Sequence, residues 1–520
     1  MSIPSIFNDV IGPVMRGPSS SHSAAAVRIG KIGRELMGGE FQRIKVHFDL
    51  NGSLPTTYLS QGSDMGLCAG LMGFEADDER LVEYKREMQK NNLTIEYVNG
   101  VFGDPHPNTY NLTLYNGEEE HFLSALSIGG GIIEVKKIDG LAVSFYGDCY
   151  GLVIWGKEMP ASLLELLNNY GCRVAGSEDI EPSLLFASSL TPFDENLLSA
   201  ISDFQSVTAT QIISPVLPIL SIADMGLPFS NALEMERYGS EQGIADLADL
   251  ALAYECARGG LSQREVMLKA SQVIEITEQS IHQGLRGTEY GDRILGVQSN
   301  KYSARQQQGG MLNLGVLDAI IPNVTALMEV KSAMGVIVAA PTAGSCGGLP
   351  GTIMAVGEAQ GLDRQARARG LLAAGVVGVL IATRSTFSAE ICGCQAECGV
   401  SSGMIAAAVV SMMGGDFQSS MAAASMALQN IFGMVCDPVA NRVEVPCLGK
   451  NILAAGNGVS CANLAMAGFD HVIPFDEVVD AMDKVGRALP HELRCTALGG
   501  LSITPASKII TTKLESSNGC

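Results

Sequence analysis

Residues 370–382 read GLLAAGVVGVLIA, and every position in this stretch is apolar or small. The run is too short and too rich in glycine to span a bilayer, so it predicts a helix in the core of the protein. Residues 403–413 and 419–434 are also nearly all apolar or small. Helices that are apolar on every side belong in the middle of a bundle, so the three stretches together predict a helical domain with a large core.

Helical periodicity extends over the rest of the second half of the chain. Residues 244–258 and 262–283 carry apolar side chains at helical spacing. We therefore predict a mostly α-helical C-terminal catalytic domain over residues 196–510, followed by a tail at residues 511–520.

The first part of the chain alternates short strands with helices. Residues 44–50 alternate apolar and polar side chains, and residues 94–98 and 111–115 have the composition of two further strands. This pattern predicts an α+β N-terminal domain over residues 1–140. Residues 141–195 predict a small α/β insert, which would be either a regulatory module or a structural linker.

Composition limits the partners and the location of the protein. Its 520 residues are 47% hydrophobic and 17% charged, with a formal net charge of -21. The acidic balance argues against nucleic acid and membrane surfaces as partners, because no basic patch would release counterions. A surface this poor in charge favours a homo-oligomer such as a dimer. The N-terminus has no secretory signal and the 13 cysteines are odd in number, so we expect a reducing cytoplasm.

Three of the cysteines lie in short loop-like contexts. Cys394 follows a glycine, Cys436 precedes Asp-Pro, and Cys447 follows Val-Pro. Three soft ligands suggest a metal centre with one coordination position left open for chemistry. The alternative for any single cysteine is a buried free thiol.

Two short turns carry groups suited to binding and proton transfer. Residues 17–23 read GPSSSHS, and they offer several hydroxyl donors beside a titratable base, His22. The alternative is a loop in which Ser21 or Ser23 caps the following helix. Residues 106–109 read HPNT, so a proline would hold His106 and Asn108 on one rigid turn, or the segment is an ordinary turn.

A glycine-rich turn lies in the second half of the chain. Residues 340–351 read APTAGSCGGLPG and lead into a predicted helix. Backbone amides at a helix start favour anions, so the turn could bind a carboxylate. A tight turn between two helices is an equally good interpretation.

Taken together, these motifs resemble a known family, the iron-sulfur-dependent L-serine dehydratases (L-serine ammonia-lyases). The similarity covers nearly the whole chain apart from residues 141–195, as if the β and α portions of that family were fused. The segments that carry it, in the family's order, are residues 6–22 (IFNDVIGPVMRGPSSSH), 106–108 (HPN), 127–131 (SIGGG), 340–351, 393–395 (GCQ), 436–440 (CDPVA) and 445–447 (VPC).

The resemblance implies a [4Fe-4S] cluster held by Cys394, Cys436 and Cys447. An iron without a permanent side-chain ligand would act as a Lewis acid toward serine, a base would remove the α proton, and the resulting aminoacrylate would hydrolyse to pyruvate and ammonia. The implied site residues are His22, His106 and Ser21 as catalytic groups, Ser19, Ser20 and Asn108 as substrate-binding groups, and Thr342, Gly344 and Ser345 around the carboxylate.

The chain departs from the family pattern at two places. The family's G-H-G-T-D stretch, whose histidine is a candidate base, corresponds to residues 60–64 (SQGSD), where Gln61 cannot accept a proton. Either His22 or His106 is then the base, or the substrate is another β-substituted amino acid such as L-threonine or L-cysteine, or the chain is an inactive relative. The family's terminal cysteine, a tail ligand to the cluster, corresponds to Cys520 with different spacing.

A pyridoxal-phosphate dehydratase is the rival class of enzyme. Lys301 could superficially offer a Schiff-base amine, but it lacks the usual strand-lysine context. We interpret Lys301 as a solvated surface residue.

Overall fold

The computed structural model describes residues 3–176, 183–223 and 225–517. Its N-terminal part is rich in strands and its C-terminal part is mostly helical, which confirms the predicted fold class. The strands are β1 (Val14–Met15), β2 (Arg43–Asp49), β3 (Thr94–Gly100), β4 (Thr109–Asn116), β5 (Glu119–Gly129), β6 (Ile132–Ile138), β7 (Leu141–Phe145), β8 (Tyr150–Gly156), β9 (Arg173–Gly176), β10 (Ser183–Ser189), β11 (Val207–Ile213) and β12 (Ile337–Val338).

The helices form a second set that dominates the chain after residue 230. They are α1 (Ala25–Leu36), α2 (Leu54–Thr57), α3 (Ser63–Leu71), α4 (Tyr84–Lys90), α5 (Ala161–Asn169), α6 (Glu195–Ser202), α7 (Ala232–Gln242), α8 (Leu247–Gly259), α9 (Gln263–Arg286), α10 (Ser299–Gln308), α11 (Leu317–Ser332), α12 (Gly348–Ala359), α13 (Arg364–Ala382), α14 (Ala389–Cys392), α15 (Cys398–Met412), α16 (Phe417–Gln429), α17 (Cys447–Met466), α18 (Phe475–Arg487) and α19 (Pro505–Ser517).

A six-stranded sheet forms the centre of the N-terminal part. Its strand order is β3-β2-β4-β5-β6-β7, and only the β2–β3 pair is parallel. Alternation along β2 buries Ile44, Val46 and Phe48 against α1, while Arg43 stays exposed. One face of the sheet is thus covered by α1, the helix that begins directly after the predicted serine-histidine motif.

A four-stranded antiparallel sheet, ordered β11-β8-β10-β9, follows in the chain. It draws its strands from Tyr150–Gly156 to Val207–Ile213, so it starts and ends later than the predicted insert at 141–195. The difference arises because Leu141–Phe145 pairs with β6 and forms the edge of the six-stranded sheet. The division of the chain into domains at these positions stays a prediction.

The helical part is built around α15, which is buried on all sides by α12, α13, α16 and α17. Helix α13 contains the run of apolar and small residues at 370–382, and all of its residues from Gly370 to Ile381 are buried. By length and composition α13 is the one helix among the described residues that could cross a membrane, yet most of it is packed inside the protein.

Residues 3–15 belong structurally to the helical part. One π-helical turn at Ile6–Val10 packs against α13, and β1 pairs with β12 in a two-stranded antiparallel ladder. The backbone amide of Ile6 donates to Glu255 Oε2 of α8 at 2.8 Å. This placement differs from the predicted domain at residues 1–140, because apolar side chains of the N-terminal segment fill a groove on a distant helix.

Two glycines in α13 create that groove. A Cβ built on Gly375 would lie 2.5 Å from Ile6 Cγ2, and one on Gly378 would lie 2.1 Å from Val10 Cγ1. Both distances are shorter than any real contact, so the helix needs glycine there to let the N-terminal segment approach.

A similar close approach joins α3 to the segment that carries the serine-histidine motif, and it gives a testable prediction. A Cβ on Gly66 would lie 2.1 Å from the Ser23 carbonyl oxygen. We expect Gly66→Ala to destabilise the protein by about 1–3 kcal/mol through overpacking, seen as a lower urea midpoint. Gly456→Ala in α17 is the matched control, since nothing lies within 4 Å of its Cβ. A Gly66→Ala midpoint at or above that of Gly456→Ala would contradict the prediction.

Candidate active site

Residues 19–23, called the serine turn below, lie at the start of α1. Ser20–Ala24 form one π-helical turn that runs directly into α1. The residue at the N-terminal boundary of α1 is Ala24, which has no capping side chain. The structure therefore does not support helix capping by Ser21 or Ser23, and the hydroxyls of the turn make other contacts.

His22 is fully buried under the serine turn and uses both ring nitrogens. Its Nε2 lies 2.8 Å from Thr57 Oγ1, and the Thr57 hydroxyl donates its own hydrogen to the Ser53 carbonyl oxygen at 2.7 Å. The hydrogen-bond network therefore assigns the ring proton to Nε2, which leaves Nδ1 as an acceptor. Ser19 Oγ lies 3.0 Å from Nδ1 and is placed to donate to it.

Glu390 of α14 faces the same turn from the helical part. Its Oε1 accepts from Ser21 Oγ at 3.0 Å and its Oε2 from Ser388 Oγ at 2.6 Å, while His22 Nδ1 lies 3.7 Å from Oε1. Burial acts to raise the pKa of Glu390, but the charge that His22 carries when it is protonated and the hydrogen bond from Ser388 outweigh it and hold that pKa below its ordinary value. Glu390 is thus ionised at neutral pH.

The state of His22 follows from its surroundings. Burial lowers the pKa of His22, and the charge of Glu390 opposes this shift only in part. His22 is therefore neutral at neutral pH, with an unprotonated Nδ1. This is the form that a proton acceptor requires.

The His-Pro-Asn turn lies on the same side of the site. The Asn108 backbone amide donates to His106 Nδ1 at 3.2 Å, and burial lowers the pKa of His106. The Asn108 side chain is 0% exposed and interacts with Glu390, whose pKa it lowers, but neither its Nδ2 nor its Oδ1 makes a hydrogen bond of good geometry among the described residues. Because buried amides are normally satisfied, this amide has capacity for a further hydrogen bond.

The glycine-rich turn at 340–351 is tied to the serine turn and to a second buried acid. The Ala343 amide donates to Ser20 Oγ at 3.2 Å, and Thr342 Oγ1 donates to Glu397 Oε1 at 2.6 Å. A Cβ on Gly344 would lie 3.0 Å from Glu397 Oε1, which explains the glycine. Burial, with the charge of Cys394, raises the pKa of Glu397 to about 8.

The helix start after this turn is occupied within the fold. The amides of Gly347 and Gly348 both donate to Asn451 Oδ1, at 3.2 and 2.9 Å. The predicted anion site at the start of α12 is thus filled by a side chain of α17. The turn joins the short strand β12 to α12, so it is a connection between a strand and a helix and not the predicted turn between two helices.

Cys394, Cys436 and Cys447, called the cysteine set below, come from three separate segments and are 2%, 6% and 6% exposed. Each acts electrostatically on one buried amine, that of Lys450. Burial alone would lower the pKa of Lys450, but the charges that the three thiols carry when they are ionised act to raise it. Lys450 Nζ also donates to the Val435 carbonyl oxygen at 2.6 Å.

Neighbouring groups modify these thiols. A hydrogen bond with Cys398 and the charge of Lys450 lower the pKa of Cys394 to about 7 against the effect of burial. Burial raises the pKa of Cys447. Within the described ranges, no three His, Cys, Asp or Glu side chains converge tightly enough to hold a single metal ion.

Gln61, at the position where the sequence departs from the family pattern, borders the cysteine set. Its Nε2 donates to Cys495 Sγ at 3.4 Å, and the side chain of Cys495 is in hydrogen-bonding contact with that of Cys436. The Cys495 amide also donates to the Cys436 carbonyl oxygen at 3.0 Å. Gln61 is therefore part of the same site, and it offers an amide where a base is expected.

The structure does not bring every candidate together. Cys520 lies outside the described residues. Lys301 is exposed, and its Nζ contacts Gln298 Oε1 at 3.4 Å, as expected for a surface lysine.

Sequence reasoning missed several charged groups of the site. They are Glu390, Glu397, Lys450 and Arg494. A signal was present for the first three, because each is a charge within a few residues of a cysteine in an otherwise apolar stretch. A charge in a segment predicted to be buried needs a partner or a function.

Comparison with known proteins identifies the family. The model of the family described as "Serine dehydratase alpha chain" matches residues 227–502. The chain belongs to the L-serine dehydratase family. It is 36% identical over 286 residues to the probable L-serine dehydratase alpha chain of Bacillus subtilis (strain 168), covering 55% of this chain and 95% of that protein.

The first part of the chain is similar to the other subunit of the same family. A probable L-serine dehydratase beta chain of Bacillus subtilis (strain 168) is 39% identical over 215 residues, which is 40% of this chain and 96% of that protein. The L-serine dehydratase of Haemophilus influenzae (strain ATCC 51907 / DSM 11121 / KW20 / Rd) is 24% identical over 502 residues, covering 94% of this chain and 96% of its own. This dehydratase-family chain therefore carries β and α portions fused in one polypeptide.

Proposed function

We propose that this chain deaminates L-serine to pyruvate and ammonia, using a [4Fe-4S] cluster held by Cys394, Cys436 and Cys447. The observation that carries the proposal is that three buried thiols from separate segments act on one amine, that of Lys450. Glu390, in the segment that leads to Cys394, accepts a hydrogen bond from Ser21 of the serine turn. The names of the relatives support serine as the substrate.

The donor set suits an iron-sulfur cluster. Cysteine thiolates are its usual ligands. The positive charge of Lys450 acts to lower the pKa of Cys394 and of Cys447, although burial still raises the pKa of Cys447. The thiols lie on three separate segments and are all buried. When bound, the cluster would supply an iron with an open position, a Lewis acid for the departing hydroxyl.

The chain's own residues would move the α proton. We assign the acceptor to His22 Nδ1, since Thr57 holds the proton on Nε2 and fixes the ring. Ser19 donates to Nδ1 in the structure, so a substrate would displace that hydroxyl. Ser21, whose hydroxyl donates to Glu390, would orient the edge of the His22 ring. Ser20 and Asn108 would contact the substrate. His106 is the second candidate for the acceptor.

Thr342, Gly344 and Ser345 are proposed to help to hold the substrate carboxylate. Thr342 donates its hydroxyl to Glu397, and Ser345 donates to the Ala340 carbonyl oxygen at 3.1 Å. The hydroxyl hydrogens of Thr342 and Ser345 are therefore already donated within the protein. The part of the turn that remains able to bind the substrate carboxylate is its backbone.

One anaerobic preparation tests the proposed function. The purified protein should show broad cluster absorption, contain iron and sulfide, and release pyruvate from L-serine. A protein that folds normally but stays inactive after cluster reconstitution would refute it. The cytoplasmic location and a homo-oligomeric state, such as a dimer, are further proposals, and the mass in solution tests the second.

The second candidate is the same chemistry on L-threonine, L-cysteine or another β-substituted acid, and Gln61 favours it. If His22 is the base for serine, Gln61→His should leave serine turnover within about threefold of the wild type, because the acceptor is elsewhere. If the substrate differs, a panel of amino acids should show another compound turned over faster than serine. A large gain of serine turnover in Gln61→His would favour the changed substrate.

A further inference from the structure

A small pocket of about 180 Å³ lies where the N-terminal part meets the C-terminal segment after α18. Its lining includes Ser53 and Pro107 from one part, and Glu390, Arg494 and Thr496 from the other. At about 30 Å³ per water, the pocket has room for roughly six waters, which is the size range of a small amino acid.

Arg494 brings an incompletely paired cation to this pocket. Its Nη1 donates to the Ile391 carbonyl oxygen at 3.2 Å, but its Nε is buried and has no hydrogen-bond partner among the described residues. No carboxylate of the described chain lies within ion-pair distance of it. A buried guanidinium N–H without an acceptor is costly, and the usual acceptor for its planar fork is a carboxylate or phosphate.

Glu390 brings the opposite charge to the same pocket. Its carboxylate accepts two hydroxyl donors, while the nearest titratable partner, His22, is neutral in the assigned tautomer. Carboxylate oxygens can accept further donors. A hydrogen bond with the Asn108 side chain also lowers the pKa of Glu390. The pocket therefore combines a cation that has an unpaired buried N–H with a carboxylate that can accept a further donor.

We propose that this pocket binds the substrate as a zwitterion, with Arg494 on the α-carboxylate and Glu390 on the α-ammonium. Arg494 then replaces the turn at residues 342–345 as the main partner of the carboxylate, since the hydroxyl hydrogens of Thr342 and Ser345 are donated within the protein. The assignment rests on the proposed function, and it names Arg494 as a residue that determines specificity. Arg494 is joined to the cysteine set through the backbone, since the Cys436 amide donates to the Leu493 carbonyl oxygen at 2.9 Å and Cys436 forms a parallel bridge with Arg494. A carboxylate on Arg494 would thus be held beside the segment that carries Cys436.

The site would admit only amino acids with both charges free. An amide or an ester removes the negative charge that Arg494 recognises, and an N-acyl group removes the positive charge that Glu390 recognises. Losing one hydrogen bond to a charged group costs about 10- to 100-fold in affinity.

The test uses the anaerobic holoenzyme and L-alanine, which has no β leaving group and so binds without reacting. Calorimetry should show that Arg494→Gln weakens L-alanine binding by about 10- to 100-fold, with Arg494→Lys in between because it keeps the charge but loses the fork. L-Alaninamide should bind weakly to the wild type and equally weakly to Arg494→Gln. Cluster absorption reports whether either variant disturbs Cys436.

Arg487→Gln is the matched control, because Arg487 is exposed on α18 and pairs with Asp483 at 2.7 Å. It should bind L-alanine like the wild type. The proposal would be overturned if the ratio of the L-alanine affinity to the L-alaninamide affinity were the same in Arg494→Gln as in the wild type. Arg494-dependent binding of L-alanine in an enzyme that does not turn over L-serine would support the zwitterion site and refute the dehydratase function, so the two failures are distinguishable.

Discussion

Cys436→Ala is expected to lower pyruvate release from L-serine by roughly 1,000-fold or more, because Lewis-acid assistance contributes several kcal/mol to such a reaction. The same change should lower the iron content of the anaerobic protein, since one of three proposed ligands is lost. Iron and sulfide analysis, together with a pyruvate assay, checks both expectations. The effect would also exclude a cluster-bearing protein without catalytic activity.

Cys461→Ala is the control for loss of a buried thiol. Cys461 is 1% exposed and lies on α17, the helix that begins with Cys447, but its contacts are with Asn430 and Asn457. Its removal should leave iron and activity unchanged, apart from a modest loss of packing. Full iron and full activity in Cys436→Ala would remove Cys436 from the ligand set.

His22→Asn is expected to lower kcat by about 10²- to 10⁴-fold, the usual contribution of a positioned proton acceptor. The value of KM should change little, because the substrate charges are held elsewhere. Steady-state kinetics on the cluster-loaded enzyme measures both. His121→Asn is the control, since His121 pairs with Asp139 at 2.6 Å in the N-terminal sheet.

The pH profile gives an independent readout of the same group. The acceptor must be unprotonated, and burial lowers the pKa of His22 below its ordinary 6.5. Activity should therefore persist as the pH falls to 6.5 and be lost only as the pH passes through the lowered pKa. Glu390, which also faces Nδ1, has a pKa below its ordinary 4.5.

A kcat within about threefold of the wild type in His22→Asn, with a large loss in His106→Asn, would assign the proton acceptor to His106 instead of His22.

The sequence predicts the elements of this fold well, because their patterns are local. Alternation marks Arg43–Asp49, and unbroken apolar runs mark the helices now seen as α13 and α15. The edges of the four-stranded sheet are harder to predict, since Leu141–Phe145 has the same alternation whichever sheet it joins.

The site is less predictable because its decisive contacts are between distant residues. Ser21 and Glu390 are 369 positions apart, and Gln61 and Cys495 are 434 apart. The sequence does point to Gln61, because glutamine is unusual for the family at that position. It also points to the serine turn, because several serines beside a histidine are unusual for a plain turn. It does not pair Arg494 with Glu390, because nothing local to either one indicates the pocket between them.

The packing of Ile6–Val10 against Gly375 and Gly378 has a consequence for synthesis of the protein on the ribosome. The segment Ile6–Val10 leaves the ribosome well before its groove, which is made only after some 370 further residues. At about 5–20 residues per second, that interval lasts roughly 20–75 s. During this time the apolar side chains of the segment lack their final partner, so a chaperone that holds the nascent chain should raise the yield of folded protein.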